Sequence, residues 1–197
     1  MATNDDAPIL PFASRAEWGA WLERNHGAED GVWVKFAKKA SGIPTVTYDD
    51  ALEVALCYGW IDGLVRRLDD DFYLQRFTPR RKRSKWSKRN RDRALALIER
   101  GEMRPAGLAE IERAQADGRW DAAYDSPSTI TVPDDLQRAL DERPGAAEAF
   151  AALGRQDRYA ALYRIHDARR PETRARRIEE VVASLSGRGG SAGARRA

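Results

Sequence analysis

The chain has 197 residues, a formal net charge of +3 and one cysteine. Hydrophobic residues make up 42% and charged residues 33% of the sequence, which is typical of a folded domain with a well-solvated surface and excludes a disordered chain. A lone cysteine excludes an internal disulfide and a cysteine-rich zinc site, and the two histidines match no zinc-binding spacing. We therefore expect no metal site and no cofactor.

The N-terminal residues, MATNDDAPILPF, contain two aspartates but no basic region and no long apolar core. They are therefore not typical of a signal peptide. No stretch of the sequence approaches the ~20 apolar residues of a membrane-spanning helix. We expect a cytoplasmic protein without a membrane span.

Two helix starts are marked by capping boxes, in which side chains and backbone N–H groups three residues apart satisfy each other. Ser14 with Glu17 forms the first box, and Thr47 with Asp50 forms the second. Gly59 stands where a left-handed residue commonly ends a helix. These signals predict two helices, the second of which ends just before Gly59.

Three segments have the apolar pattern of β-strands: residues 31–38, 60–68 and 72–77. The last two are separated by the three aspartates 69–71, which predict the turn of a hairpin. These carboxylates lack the alternate spacing and the later glutamate of a calcium loop, so we interpret them as a solvated turn.

Further helices are predicted from apolar spacing and from Gly and Pro boundaries. Their approximate ranges are 87–100, 105–115, 134–142, 144–154, 156–168 and 171–185. The domains predicted from these elements are an N-terminal domain at 10–116, a linker at 117–133, a helical C-terminal subdomain at 134–185 and a disordered tail at 186–197.

Four sequence signatures occur in a fixed order along the chain. They are ALCYGWIDG (55–63), RFTPRRKRSKWSKRN (76–90), GEMRPAG (101–107) and ARRPETRARRI (168–178). With these signatures the chain resembles the YdeI/OmpD-associated, or bacteriocin-protection, family over about residues 10–182. The resemblance implies an association with bacteriocin or antimicrobial-peptide resistance, but no established reaction.

The fold class expected from the elements and the resemblance is α+β. We expect a small, mainly antiparallel sheet with helices, followed by a helical C-terminal subdomain. The resemblance implies that the N-terminal part is similar to small folds of the YjbR/YdhG type, for some of which DNA binding has been suggested.

The most unusual physical feature is the basic segment at 80–93, which has nine basic residues and one acidic residue. Its predicted helix begins among cations, although the N-terminus of a helix favours anions. A bound anion would resolve this conflict, held by the helix N-terminus and the basic side chains. Trp86 would offer a flat face for stacking. The alternative is a solvated basic surface with Trp86 in the core.

The GWIDG signature suggests a second candidate site. Trp60 and Asp62 lie two residues apart on a strand, so their side chains share a face. Asp62 could act as a general acid or base, but we favour a structural ion pair with Arg76. Cys57 is interpreted as a buried thiol, and neither histidine is expected to be catalytic.

These considerations define the candidate ligand-binding residues, and they assign no catalytic residue. The candidates are Trp60, Asp62, Arg76, Thr78, Arg80, Ser84, Trp86, Ser87 and Asn90.

Three functions are compatible with the sequence. The first, which we favour, is a binding protein that captures an anionic partner, such as a nucleic acid or another anionic ligand, through the 76–91 segment. The second is an enzyme that uses a pocket formed by Trp60, Asp62 and Arg76. The third is an adaptor that binds a protein partner through the C-terminal helices.

Overall fold

The computed structural model describes residues 7–186. The chain divides between Ala123 and Tyr124 into two compact units, and each unit has its own hydrophobic core. The predicted tail at 186–197 lies outside the described residues apart from Ser186. Among residues 7–186, no helix combines the length and apolar character that crossing a bilayer requires.

The N-terminal unit alternates strands and helices. Its elements are β1 (Ile9–Pro11), α1 (Arg15–Asn25), β2 (Val32–Ala37), a 3-10 helix (Lys39–Ser41), α2 (Tyr48–Cys57), β3 (Trp60–Arg67), β4 (Phe72–Pro79), α3 (Lys88–Glu99) and α4 (Pro105–Ala116). The predicted strands and helices of this region are confirmed. The sequence pattern missed only β1 and the 3-10 helix, which have three residues each and are too short to show a period.

The strands form one mixed sheet in the order β1-β2-β4-β3. β1 pairs with β2 in parallel, whereas the β2–β4 and β3–β4 pairs are antiparallel. The predicted α+β class with a mainly antiparallel sheet is therefore confirmed. A bulge between Asp62 and Val65 shifts the β3–β4 register.

Both predicted helix caps are formed. The Ser14 hydroxyl accepts from the backbone N–H of Glu17 at 3.3 Å, and the Thr47 hydroxyl accepts from that of Asp50 at 3.1 Å. Each cap satisfies an N–H group that has no partner inside its helix. Gly59 has φ = 73°, the left-handed conformation expected after α2.

Aromatic side chains join α1 to the sheet. The Trp18 ring lies 5.5 Å from Phe77 of β4 and 6.5 Å from Trp60 of β3, measured between ring centroids. The two buried indoles also donate hydrogen bonds, from Trp18 to the Ala51 carbonyl and from Trp60 to the His26 carbonyl. Because their polar groups are satisfied, these rings contribute their full apolar area to the core.

Two glycines let α4 approach the end of α2 closely. A Cβ atom added to Gly107 would lie 2.4 Å from the Cys57 carbonyl oxygen, and one added to Gly59 would lie 2.9 Å from the Ala106 carbonyl oxygen. These neighbours are backbone atoms, so they cannot rotate away. The contact therefore requires glycine at both positions.

The C-terminal unit contains four helices within the described residues: α5 (Asp134–Asp141), α6 (Ala146–Ala151), α7 (Arg155–His166) and α8 (Pro171–Ser186). The predicted helical C-terminal region is confirmed. α6 begins two residues later than predicted, because Gly145 adopts φ = 75° before it. Arg174 of the ARRPETRARRI signature donates to both carboxylate oxygens of Asp135, which links α8 to α5.

We expect Gly107→Ala to destabilise the N-terminal unit by about 2 kcal/mol or more, because the added methyl group overpacks fixed backbone atoms. Gly27→Ala is the matched control, since no atom lies within 4 Å of the place its Cβ would occupy; it should change stability by less than about 0.5 kcal/mol. Urea unfolding followed by tryptophan fluorescence measures both. Equal midpoints for the two variants would contradict the close approach.

Candidate anion-binding site

The sheet separates two groups of predicted site residues. Asp62 pairs directly with Phe77, and paired residues in antiparallel strands project from the same face. Phe77 is fully buried in the core, so Asp62 lies on the core-facing side, as does Trp60. Arg76, next to Phe77 in β4, lies on the opposite face. The structure therefore does not bring Trp60 and Asp62 together with Arg76.

The predicted ion pair between Asp62 and Arg76 is wrong. Within the described residues, the Asp62 carboxylate instead accepts a hydrogen bond from the Tyr48 hydroxyl at 2.8 Å. Burial, together with this hydrogen bond to an anion, raises the pKa of Tyr48 well above its usual value. Asp62 thus links β3 to Tyr48 of α2, whereas Trp60 packs against Trp18 and Trp21 of α1.

Arg76 is a buried arginine without an ion-pair partner among the described residues. Its side chain is 6% exposed, and its Nε and Nη1 atoms have no hydrogen-bond partner there. Burial lowers the pKa of Arg76, and the nearby charge of Asp30 opposes this effect only in part. The guanidinium lies 5.8 Å from the Trp33 ring, a contact that offsets some of the desolvation.

A cavity of about 360 Å³ lies on this face of the sheet, and we call it the arginine cavity. Its lining residues are Ile61, Gly63, Leu64, Arg76, Thr78, Pro79, Arg81, Arg83 and Ser84. Three of these side chains are arginines and two carry hydroxyl groups, while none of the described lining residues is acidic. The cavity thus gathers Arg76, Thr78 and Ser84 of the predicted site, and it adds Arg81 and Arg83.

Arg80 and Trp86 support the loop that carries Arg81 and Arg83. The buried Arg80 guanidinium lies 3.6 Å from the centroid of the Trp86 ring, which also contacts Trp120. Because Trp86 is 2% exposed and one face is covered by Arg80, it is a core anchor for this loop. A core position for Trp86 is the alternative to a stacking face that the sequence left open.

Arg119, near the C-terminal end of the same unit, also holds this loop in place. Its Nη1 donates to the Ser84 carbonyl at 2.7 Å, and its Nε donates to Asp117. The contact joins residues 35 positions apart, so no local pattern in the sequence could indicate it. Arg119 was not among the predicted site residues.

Part of the charge of the basic segment is compensated within the fold. The Asp49 carboxylate, in the first turn of α2, accepts from both Arg89 and Arg93 of α3. Arg91 forms an ion pair with its neighbour Asp92 at 3.6 Å.

The two remaining predicted residues act at the start of α3. The Ser87 hydroxyl accepts from the backbone N–H of Asn90 at 3.1 Å and so caps the helix. Neither Ser87 nor Asn90 lines the arginine cavity.

A second cavity, of about 650 Å³, lies between α1, α2 and the segment before α4. Its lining includes Cys57, but burial raises the pKa of this thiol to about 11, so it is protonated at neutral pH. Arg15 at its edge is already paired with Asp50, Glu53 and Glu102. The polar groups here largely satisfy one another.

Comparison with known families gives one match in each unit. Residues 10–110, more than half of the chain, match a domain of unknown function (DUF8412), and residues 129–187 match the family described as bacteriocin-protection, YdeI or OmpD-associated. The chain therefore belongs to the family defined by that domain of unknown function, and its resemblance to the YdeI/OmpD-associated family is confirmed over the C-terminal match.

The four signatures divide between the two matches. Only ARRPETRARRI (168–178) lies inside the YdeI/OmpD-associated match, whereas the other three lie within residues 10–110. No curated protein and no solved structure matches the chain. The YjbR/YdhG-like character of the N-terminal fold thus stays a prediction.

We expect Arg119→Met to loosen the loop, because it removes a charged donor from the Ser84 carbonyl. Loss of such a hydrogen bond should raise the rate of trypsin cleavage at residues 81–83 by roughly tenfold. The control is Arg24→Met, which removes an exposed arginine from α1. Unchanged cleavage in the Arg119 variant would show that the loop is held by other contacts.

We expect the Cys57 thiol to react roughly 100-fold more slowly with a disulfide reagent at pH 8 in the folded protein than in guanidinium, because its raised pKa suppresses the thiolate. The raised pKa favours the protonated folded state, so the thiol's contribution to stability is complete below about pH 9 and is lost as the pH rises towards 11. Equal rates in the folded and unfolded protein would instead indicate an accessible, activated thiol.

Proposed function

We propose that this protein is a binding protein that captures an anionic partner through its 76–91 segment, with the arginine cavity as the contact site. The observation that carries the proposal is the convergence of Arg76, Arg81 and Arg83 on one cavity whose described lining residues include no carboxylate. Asp30 offsets the burial of the Arg76 charge only in part, and a bound anion can compensate the rest of the cluster.

The chemistry of the cavity suits an anion in three respects. Guanidinium groups present planar donors that match carboxylate and phosphate oxygens. The hydroxyl groups of Thr78 and Ser84 add neutral donors. The fold also holds the site in place, since Arg80 and Arg119 fasten the loop that carries two of the arginines.

The family association with bacteriocin or antimicrobial-peptide protection gives this proposal a physiological setting. Amphipathic antimicrobial peptides are commonly rich in Lys and Arg, so a basic cavity would repel them. We therefore propose that the protein acts on an anionic component of such a response, in the cytoplasm, and that it does not bind the peptide itself.

The other two hypotheses have weaker support than anion binding, although a groove of about 580 Å³ lies between α5 and α8. Trp60 and Asp62 lie on the opposite face of the sheet from Arg76, which leaves the enzyme hypothesis without a pocket that joins them. The adaptor hypothesis requires an apolar surface on the C-terminal helices. All large hydrophobic side chains that are exposed in the described residues belong to the N-terminal unit.

The test is fluorescence anisotropy with 5′-phosphorylated single-stranded RNA and double-stranded DNA at about 50 and about 200 mM salt. If about three phosphate charges are neutralised, affinity should fall by about 20-fold or more across this range. Reversing Arg81, Lys82 and Arg83 to glutamate should abolish binding, because these are exposed cations in or beside the cavity.

A charge-matched control reverses Arg24, Lys39 and Arg67, which are exposed on the same unit but do not line the cavity. This variant should keep most of the affinity. If neither the RNA nor the DNA probe binds at about 50 mM salt, the proposal is overturned. Equal losses in the two triple variants would show that only overall charge matters.

A further inference from the structure

We infer that the anionic group bound in the arginine cavity is a compact phosphate dianion, that is, a phosphomonoester, and not the extended phosphodiester backbone of a nucleic acid. This inference rests on the proposed function and narrows it to one ligand chemistry. It follows from how the fold distributes the charge of the basic segment and from the size of the cavity.

The cations of the basic segment outside residues 81–83 already contact other groups in the fold. Arg89 and Arg93 share Asp49, Arg91 pairs with Asp92, and Arg80 is buried against Trp86.

Lys85 and Lys88 also interact with other groups. The remaining cations of the segment are the consecutive Arg81, Lys82 and Arg83, all exposed.

An extended polyanion requires a track of cations along its path. Proteins that bind nucleic acid backbones typically neutralise several phosphates in succession, and single-strand binders add exposed aromatic faces. Within the basic segment, the remaining exposed cations are confined to the loop at 81–83 beside the cavity, and Trp86 is buried. The surface is therefore suited to one phosphate group and not to a chain of them.

The cavity itself has the dimensions and lining for such a group. Its volume of about 360 Å³ lies at the small end of ligand sites, which usually span about 300–1,000 Å³. Three arginines line it, and a phosphomonoester carries about −1.5 to −2 charges at neutral pH on three terminal oxygens. A phosphodiester offers a single charge and so compensates less of this positive cluster.

The apolar part of the lining indicates where the rest of the ligand lies. Ile61, Leu64 and Pro79 form walls beside the arginines, and Leu64 is 61% exposed. Binding of an organic group there would remove this apolar surface from water. The ligand class is thus a phosphomonoester whose phosphate faces the arginines and whose organic part contacts β3.

The experiment compares probes that differ only in the terminal phosphate. Two 3′-fluorescein-labelled oligothymidines of eight nucleotides, one with a 5′-phosphate and one with a 5′-hydroxyl, are titrated by anisotropy. A labelled phosphoserine peptide and its unphosphorylated form are run beside them, with inorganic phosphate as competitor. Arg81→Ala/Arg83→Ala is the test variant, and Arg24→Ala/Arg67→Ala is the matched control.

We expect each phosphorylated probe to bind about tenfold or more tightly than its unphosphorylated form, since charge-assisted hydrogen bonds to the extra group are added. Inorganic phosphate should compete, and the test variant should lose this preference while the control keeps it. Similar affinity for both phosphorylated probes would identify the phosphate alone as the determinant; a preference for one would identify the source of the phosphomonoester.

Two outcomes would overturn the inference, and they have different meanings. If the two oligothymidines bind equally, with a salt dependence that indicates six or more neutralised phosphates, the site binds an extended backbone; the proposed function stands and this inference falls. If none of the probes binds, both fall. Because Arg81 and Arg83 are exposed, the test variant is expected to fold, and its circular dichroism spectrum verifies this.

Discussion

The close approach of two backbones at the end of α2 is the constraint on which the rest of the N-terminal unit depends. Gly59 and Gly107 have no side chains, so α4 can reach the last carbonyl groups of α2. The left-handed Gly59 turns the chain directly into β3, which places Trp60 in the core. The Gly59 carbonyl also accepts a hydrogen bond from the backbone of Arg80 and thereby fixes where the basic loop begins.

The two parts of the basic segment, α3 and the loop before it, have different surroundings in the fold. α3 faces the acidic N-terminus of α2, where Asp49 accepts hydrogen bonds from both Arg89 and Arg93. The loop before α3 instead presents Arg81 and Arg83 beside Arg76, without a carboxylate in the same cavity. A continuous run of basic residues in the sequence thus becomes a helical part whose charge is partly compensated by Asp49 and Asp92, and a loop whose cations are available to a ligand.

The sequence predicted most of the fold because its signals are local. The caps at Ser14 and Thr47 and the hairpin around residues 69–71 involve groups only a few residues apart. The site was harder to predict, because the face of the sheet from which a side chain projects depends on the strand register. Asp62 pairs with Phe77 and not with Arg76, and this offset of one residue places the predicted partners on opposite sides. Contacts across 35 to 44 positions, such as Arg119 to Ser84 and Asp49 to Arg93, have no signature in the sequence.

The aromatic core of the N-terminal unit has a spectroscopic consequence. All six tryptophans of the chain precede residue 124, and five of them, Trp18, Trp33, Trp60, Trp86 and Trp120, are buried. The C-terminal unit has none, so tryptophan emission reports on the N-terminal unit, while far-ultraviolet dichroism also records the helices of the C-terminal unit. A difference between the two signals on heating would therefore resolve the unfolding of the two cores without any added label.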